Sequence, residues 1–293
     1  MKDETKLKLL LFRNRIQVAL SPLAGRFNRK IEGVRAEYDL NYCNDGSHLH
    51  TLDLMRPEGK DGLPCVIYLH GGGWSSFDKK LFRSTCKRLA ACGAAVLNCN
   101  VRLAPKSKIE DMLNDIASVC KFAEENAPKW GIDANRLIFA GDSSGAHLLA
   151  LFLGRAVKEG NPVADRVKGC AYFYGAFDLN KFDEKTKGRF GTYMYGVFPR
   201  YMPSRPMYLY SVSPVNYISG NLPPHLICSG ETDRLHRPQS VEYYNKLREA
   251  GVPAEALFFP ADCKKAKHRF MTFDKNPAAK QAFERFAVFL HSL

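Results

Sequence analysis

The run Gly141-Asp142-Ser143-Ser144-Gly145 has the residue types and spacing to carry nucleophilic chemistry. A serine exposed at the tip of a sharp turn needs neighbours without bulky Cβ groups, because backbone crowds it on both sides. The flanks suit that turn. Arg136-Leu-Ile-Phe-Ala140 reads as a buried strand and Ala146-His-Leu-Leu-Ala-Leu-Phe-Leu153 as a helix. Ser143, central in the pattern, is the candidate nucleophile. Ser144 falls at the helix N-terminus, where its backbone N–H has no partner within the helix and could face a developing oxyanion. Glycine–serine turns before helices are also ordinary capping chemistry, so the assignment needs partners elsewhere in the chain.

One partner is the loop His70-Gly71-Gly72-Gly73-Trp74, which follows the apolar run Leu63-Pro-Cys-Val-Ile-Tyr-Leu69. Consecutive glycines let a loop present backbone N–H groups where side chains would block access. A strand before the loop and Trp74 after it fit an oxyanion-binding turn better than a flexible linker. Asp233 and His268 are the other chemically useful residues, and each lies just past a strand-like run, as Ser143 does. In open α/β sheets that strand edge is where ligands and catalytic groups collect.

The elements that must position these residues alternate along the chain. Residues 36–57 read as an antiparallel hairpin: Tyr38, Leu40 and Tyr42 alternate with polar residues, Asn44-Asp-Gly46 turns, and His48, His50, Leu52 and Leu54 alternate again. His48 and His50, on one strand face, lack a matching third metal ligand and read as surface residues. Buried strands are expected at 63–69, 94–99, 136–140, 167–174, 224–230 and 254–260. Helices are expected at 79–91, 109–126, 146–153, 240–250 and 277–291, with 130–136 as a loop. That rhythm predicts an α/β fold with a mostly parallel sheet covered by helices on both faces.

Two stretches depart from it. Residues 1–35 are basic and partly amphipathic, and read as a helix packed over the body or as a lid or membrane-surface segment. Residues 175–220 are aromatic and turn-rich, with Phe190, Tyr195 and Phe198 among them, and read as a cap insertion lining a pocket, against the alternative of an irregular packed subdomain. The catalytic domain is then 36–293, with 1–35 as an N-terminal cap segment.

Composition narrows the function classes. A chain of 293 residues that is 45% hydrophobic can bury the core of one large α/β domain. Nine scattered cysteines without a Cys-x-x-Cys pair fit reduced thiols and a cytoplasmic setting. The net charge of +13 is spread over the whole length without a basic–aromatic motif, so it reads as solvated surface and not as a nucleic-acid site.

With these residues in place the chain resembles the hormone-sensitive-lipase-like carboxylesterases of the α/β-hydrolase superfamily. The matching residues are His70-Gly-Gly-Gly-Trp74, Arg102-Leu-Ala-Pro105 with Asp115, Gly141-Asp-Ser-Ser-Gly145, Ser213-Pro214, Leu222-Pro-Pro224, Gly230 with Asp233 and Leu235, and His268 with Phe270. They span roughly residues 63–293 in the family's order. The resemblance implies Ser143 as nucleophile, His268 as general base and Asp233 as the acid that orients it. It also implies an oxyanion hole from Gly71, Gly72 and the Ser144 N–H, with no cofactor and no metal. Trp74, Phe190, Tyr195 and Phe198 are the expected substrate-contacting residues. The implied activity is hydrolysis of short- to medium-chain carboxylic esters, small molecules, through an acyl-enzyme. An amidase or arylformamidase would use the same triad, and a membrane-surface lipase would use the basic N-terminus. This sequence departs from the family's pattern at Arg269, where a small residue is usual, and at Lys106-Ser-Lys-Ile-Glu110.

Overall fold

A computed structural model describes residues 28–181, 204–233, 236–273 and 275–293, with isolated positions between 5 and 16 and Met194, Val197 and Phe198. Its strands are β1 (Val34–Asn41), β2 (Thr51–Pro57), β3 (Leu63–Leu69), β4 (Ala95–Cys99), β5 (Ile132–Asp142), β6 (Val167–Phe173), β7 (His225–Gly230) and β8 (Ala254–Phe259). They form one sheet in the order β1-β2-β4-β3-β5-β6-β7-β8. β1, β2 and β4 pair antiparallel, and every pairing from β4 through β3 to β8 is parallel. The expected α/β sheet with an antiparallel start is therefore present.

Both faces of the sheet are covered, which is why its central strands are apolar without a break. In β3 every residue is buried, and alternate side chains feed different cores. Cys65, Ile67 and Leu69 join one core with helices α2 (Ile109–Trp130), α3 (Ser144–Glu159) and α5 (His236–Glu249). Val66 and Tyr68 join the other, with α1 (Arg83–Ala91) and α6 (Pro277–His291). A shorter helix, α4 (Arg205–Ser211), precedes β7. In α2 the buried Ile109, Met112, Leu113, Ile116, Val119, Cys120 and Ala123 recur every three to four residues, so one stripe faces the sheet. Gly131 ends that helix in the left-handed conformation, φ 59°.

Three local expectations change. His48–His50 is a 3₁₀ turn and not part of a strand. His48 pairs with Asp78 (2.5 Å) and His50 with Asp45 (2.5 Å), contacts that a flat strand face would not give them. Residues 132–136, expected in a loop, belong to β5, because a register shift between Pro64 and Cys65 lets Ile132 and Asp133 pair before the apolar run begins. Lys79–Phe82 is a 3₁₀ turn ahead of α1. The cap expected at 175–220 is described only in part, and Phe190, Tyr195 and most of 1–35 lie outside the described residues. No described helix is long and apolar enough to cross a membrane.

Candidate active site

Ser143 sits between the end of β5 and the first residue of α3, at φ 53° and ψ −118°. A side-chain-bearing residue in that region carries strain of about 1–3 kcal/mol and persists only where its surroundings hold it. Here the Ser143 N–H donates to the Phe173 carbonyl (2.9 Å) and the Ser143 carbonyl accepts from the His147 N–H (3.2 Å). The glycines on either side follow from close backbone approach. A methyl group on Gly145 would overlap the Leu69 carbonyl oxygen, and one on Gly141 would lie 2.9 Å from both Ala146 N and Leu69 O.

The glycine loop begins where β3 ends. Gly72 has φ 145°, and a methyl there would overlap the Ser76 carbonyl. Ser76 Oγ donates to Gly72 O (2.7 Å), closing the loop on itself. The Gly71 N–H, expected among the oxyanion donors, donates to Asp142 Oδ1 (2.8 Å). Its place in the structure is thus a tie between loop and elbow. Asp142 also accepts from the Tyr68 hydroxyl (3.0 Å). Burial pushes the Asp142 carboxyl above the usual carboxylate range, with the Gly71 N–H pulling the other way. This locking role has no signal in the sequence, where Asp142 is one residue of the serine turn.

Asp233 follows β7, and His268 lies in the loop after β8. These two loops touch: a methyl on Gly230 would overlap the Ala266 carbonyl oxygen. His268 Nδ1 donates to Asp233 Oδ2 at 2.7 Å. A carboxylate only accepts, so Nδ1 carries the proton and Nε2 of the neutral ring is the basic nitrogen. Burial disfavours the Asp233 carboxylate, but the adjacent His236 and His268 outweigh it and hold the group well below the usual range. Burial lowers the His268 pKa below the ordinary imidazole value, His236 adds to that, and Asp233 opposes it.

His236, one helical turn past Asp233, was absent from the sequence reading although the spacing of three could have flagged it. Its Nδ1 lies 3.1 Å from Asp233 Oδ1, and its ring stacks on His268 with centroids 4.0 Å apart and planes 25° apart. Asp233, His236 and His268 bring donor atoms within 4.8 Å of one another. A shared metal ion would have to lie in both ring planes about 2 Å from each nitrogen, and near-parallel stacked rings do not intersect there.

The structure thus brings Asp233 and His268 into direct contact at the edge where Ser143 stands. Ser143 is tied to Phe173, and the next residue, Tyr174, packs edge-on against His268 (5.0 Å between centroids). Trp74 is buried, with Nε1 donating to His147 Nδ1 (3.0 Å) and its ring edge-on to Phe198 (5.7 Å). His147 Nε2 donates to the Val212 carbonyl (2.8 Å), so one tautomer links the glycine loop, the elbow helix and the segment after α4. Burial lowers the His147 pKa to about 4, which keeps that imidazole neutral.

A family model described as alpha/beta hydrolase fold matches residues 66–272. Esterase LipQ of Mycobacterium tuberculosis is 25% identical over 77% of this chain and 55% of its own length. Ethyl acetate hydrolase of Pseudomonas putida is 25% identical over 80% of this chain and 75% of its own. The chain therefore spans roughly half to three quarters of these curated relatives. Among solved structures, inhibited esterase B from Lactobacillus rhamnosis superposes with a TM-score of 0.84 at 20% identity, covering 100% of this chain and 96% of that one.

Proposed function

The chain belongs to the hormone-sensitive-lipase-like family of the α/β-hydrolase fold, and from that premise we propose that it is a serine carboxylesterase acting on short- to medium-chain esters. The observation that carries the reading is the 2.7 Å Asp233–His268 hydrogen bond at the sheet edge that also holds the strained Ser143. The esterase names of the relatives support the same reaction class.

His268 Nε2 takes the Ser143 hydroxyl proton as Oγ bonds to the ester carbonyl carbon. The oxyanion is met by the backbone N–H groups of Gly72 and Ser144, each worth on the order of 3 kcal/mol of barrier. Collapse breaks the bond to the alcohol oxygen, and His268 returns the proton to that leaving group. Water then attacks the acyl-enzyme with His268 again as base, releasing the acid and restoring Ser143. The protonated ring formed in each attack is stabilised by Asp233, which stays ionised.

Trp74 and Phe198, in edge-on contact, form the base of the acyl pocket in this reading. Residues 1–35 and the rest of 175–220, including Phe190 and Tyr195, cap it and limit its depth. A cytoplasmic setting is part of the same reading, supported by nine cysteines that are all free thiols.

A screen of p-nitrophenyl esters of graded chain length, with a matched amide, tests the proposal. Acetyl to butyryl esters are the expected best substrates. Ser143→Ala should abolish turnover and organophosphate labelling, while Ser144→Ala, which keeps its backbone N–H, should retain both. A covalent adduct on Ser144, or turnover by Ser143→Ala, overturns the assignment.

A further inference from the structure

The Asp233 carboxylate serves two imidazoles. Oδ2 accepts from His268 Nδ1 at 2.7 Å, and Oδ1 accepts from His236 Nδ1 at 3.1 Å and from the His236 backbone N–H at 3.2 Å. Because an ionised carboxylate has no proton to give, both histidines present Nδ1–H to it. His236 is 1% exposed, sits at the start of α5 and lies flat against the His268 ring. A base–acid pair in nucleophilic catalysis needs one carboxylate and one imidazole, and His236 is a third member that the reaction does not consume.

We propose that His236 is a positioning residue for this site: it clamps Asp233 from the far side, holds the His268 ring flat by stacking, and shares the carboxylate that would otherwise serve His268 alone. The inference rests on the esterase reading above and concerns how its base is tuned.

Three physical effects combine. The clamp removes rotation of the Asp233 carboxylate, so Oδ2 stays aimed at His268 and the Nε2 lone pair stays on the reacting edge. Stacking at 4.0 Å, with the Tyr174 edge on His268 as well, leaves the ring little room to tilt. Sharing divides the stabilisation that Asp233 gives to a protonated ring, so a proton on His268 is held less firmly than in a two-member pair. Besides His236 and Asp233, the Asp142 carboxyl at the end of β5 bears on His268, the Tyr174 ring past β6 packs edge-on to it, and Arg269 beside it on its own loop lies over the Phe77 ring. None of them occupies Oδ1 of Asp233 among the described contacts.

Two substitutions separate the effects. His236→Asn places an amide N–H near the Nδ1 position and removes the ring, whereas His236→Phe keeps a stacking ring and removes the donor. In His236→Phe the acid limb of kcat/KM should move up by about one pH unit, because Asp233 then serves His268 alone. Plateau kcat should fall about tenfold as the carboxylate loosens. His236→Asn should keep the limb near its wild-type position and recover most of that kcat. Each profile is read with a melting temperature and with Ser143→Ala as the blank. A limb that does not move in His236→Phe, or equal kcat losses in both variants with a common limb, overturns the inference and leaves His236 a packing residue. Should His236→Phe not fold, His236→Gln replaces it, since its amide reaches the Nε2 position instead, and a limb equal to that of His236→Asn again overturns the inference. A Ser143→Ala enzyme that still turns over ester would count against the esterase reading itself, whatever the His236 profiles.

Discussion

Two of the polar clusters that interrupt the apolar interior are built to opposite purposes. Around Lys79, which is fully buried, Asp53 and Asp39 both accept from its ammonium. Arg83 Nε adds a 2.8 Å contact to Asp53 Oδ2, the Asp39 N–H donates to Asp53 Oδ1 (3.0 Å), and Asn98 donates to the Lys79 carbonyl (2.9 Å). Charges there are matched: Lys79 and Asp53 are fully buried beneath α1, while Asp39 keeps about half of its side chain in solvent. At the other cluster the Asp233 side chain is 6% exposed but its partner His268 is 22% exposed, and the nearby serine is held in a strained backbone conformation. A network whose central ion pair is fully buried fixes a segment of chain, whereas one that leaves its imidazole partly exposed keeps a proton acceptor available to a substrate. Burial and hydrogen bonding are common to both, so neither by itself marks chemistry.

The largest test of that contrast is Asp233→Asn. It leaves the shape of the site but favours the wrong His268 tautomer, so kcat should fall on the order of 10⁴-fold, with a lowered melting temperature that still leaves the protein folded at assay temperature. Near-normal turnover would shift the orienting role to another acid, Asp178 first. Lys79→Met does the converse. It strands Asp53 and should cost about 3–5 kcal/mol in urea unfolding, with kcat preserved in whatever protein remains folded. A stability loss under 1 kcal/mol would mean that Arg83 alone satisfies the network.

Acid separates scaffold from site more gently. Burial lowers the pKa of both His147 and His225 to about 4 in the fold, against about 6.5 in an unfolded chain. The folded pKa is depressed, so the stabilisation is present above pH ~6.5 and is lost as pH falls towards 4, by up to about 3 kcal/mol per histidine. His225 packs at the start of β7 against Tyr172 and Tyr243, away from the Ser143 edge. His225→Phe should flatten the pH dependence of unfolding and leave the pH–rate profile in place. A slope unchanged from wild type would assign the acid sensitivity elsewhere. The smallest expected effect is a gain: Ser143→Gly relieves the φ 53° strain and should raise stability by about 1 kcal/mol in an inactive protein. No gain would mean that the elbow is relaxed by contacts that glycine does not keep.

Much of this was legible in the sequence for a physical reason. Strands buried on both faces must be continuous apolar runs, and the turns at Ser143 and Gly72 tolerate few residues other than glycine beside them, so both leave strong local marks. Ser143, Asp233 and His268 each fall just past such a run, and their order survives in the chain. The Lys79 cluster leaves no mark. Lys79 and Lys80 look like an exposed basic pair, and Asp53 between Leu52 and Leu54 looks like the solvent side of an alternating strand. Only the pairing of β2 between β1 and β4, with α1 across its face, buries both groups. His236 was obscure for another reason, since its significance depends on a ring stacked from a loop 32 residues further on. The engagement of the Gly71 N–H by Asp142 is equally a matter of two loops meeting, and no spacing within either one predicts it.

The contact between Gly145 and the Leu69 carbonyl has a mechanical consequence. The serine hangs from the first turn of α3, and the glycine loop hangs from the last residue of β3. Because these two anchor points rest backbone on backbone, the gap between nucleophile and oxyanion donors is gauged by bond lengths and one van der Waals contact. Within that frame the Ser143 side-chain rotation alone sets where Oγ stands, and the Asp142 carboxylate fastens the loop to the elbow. A displacement of the end of β3 therefore moves both sides of the cleft in which a tetrahedral centre must fit, because each is built on that strand end.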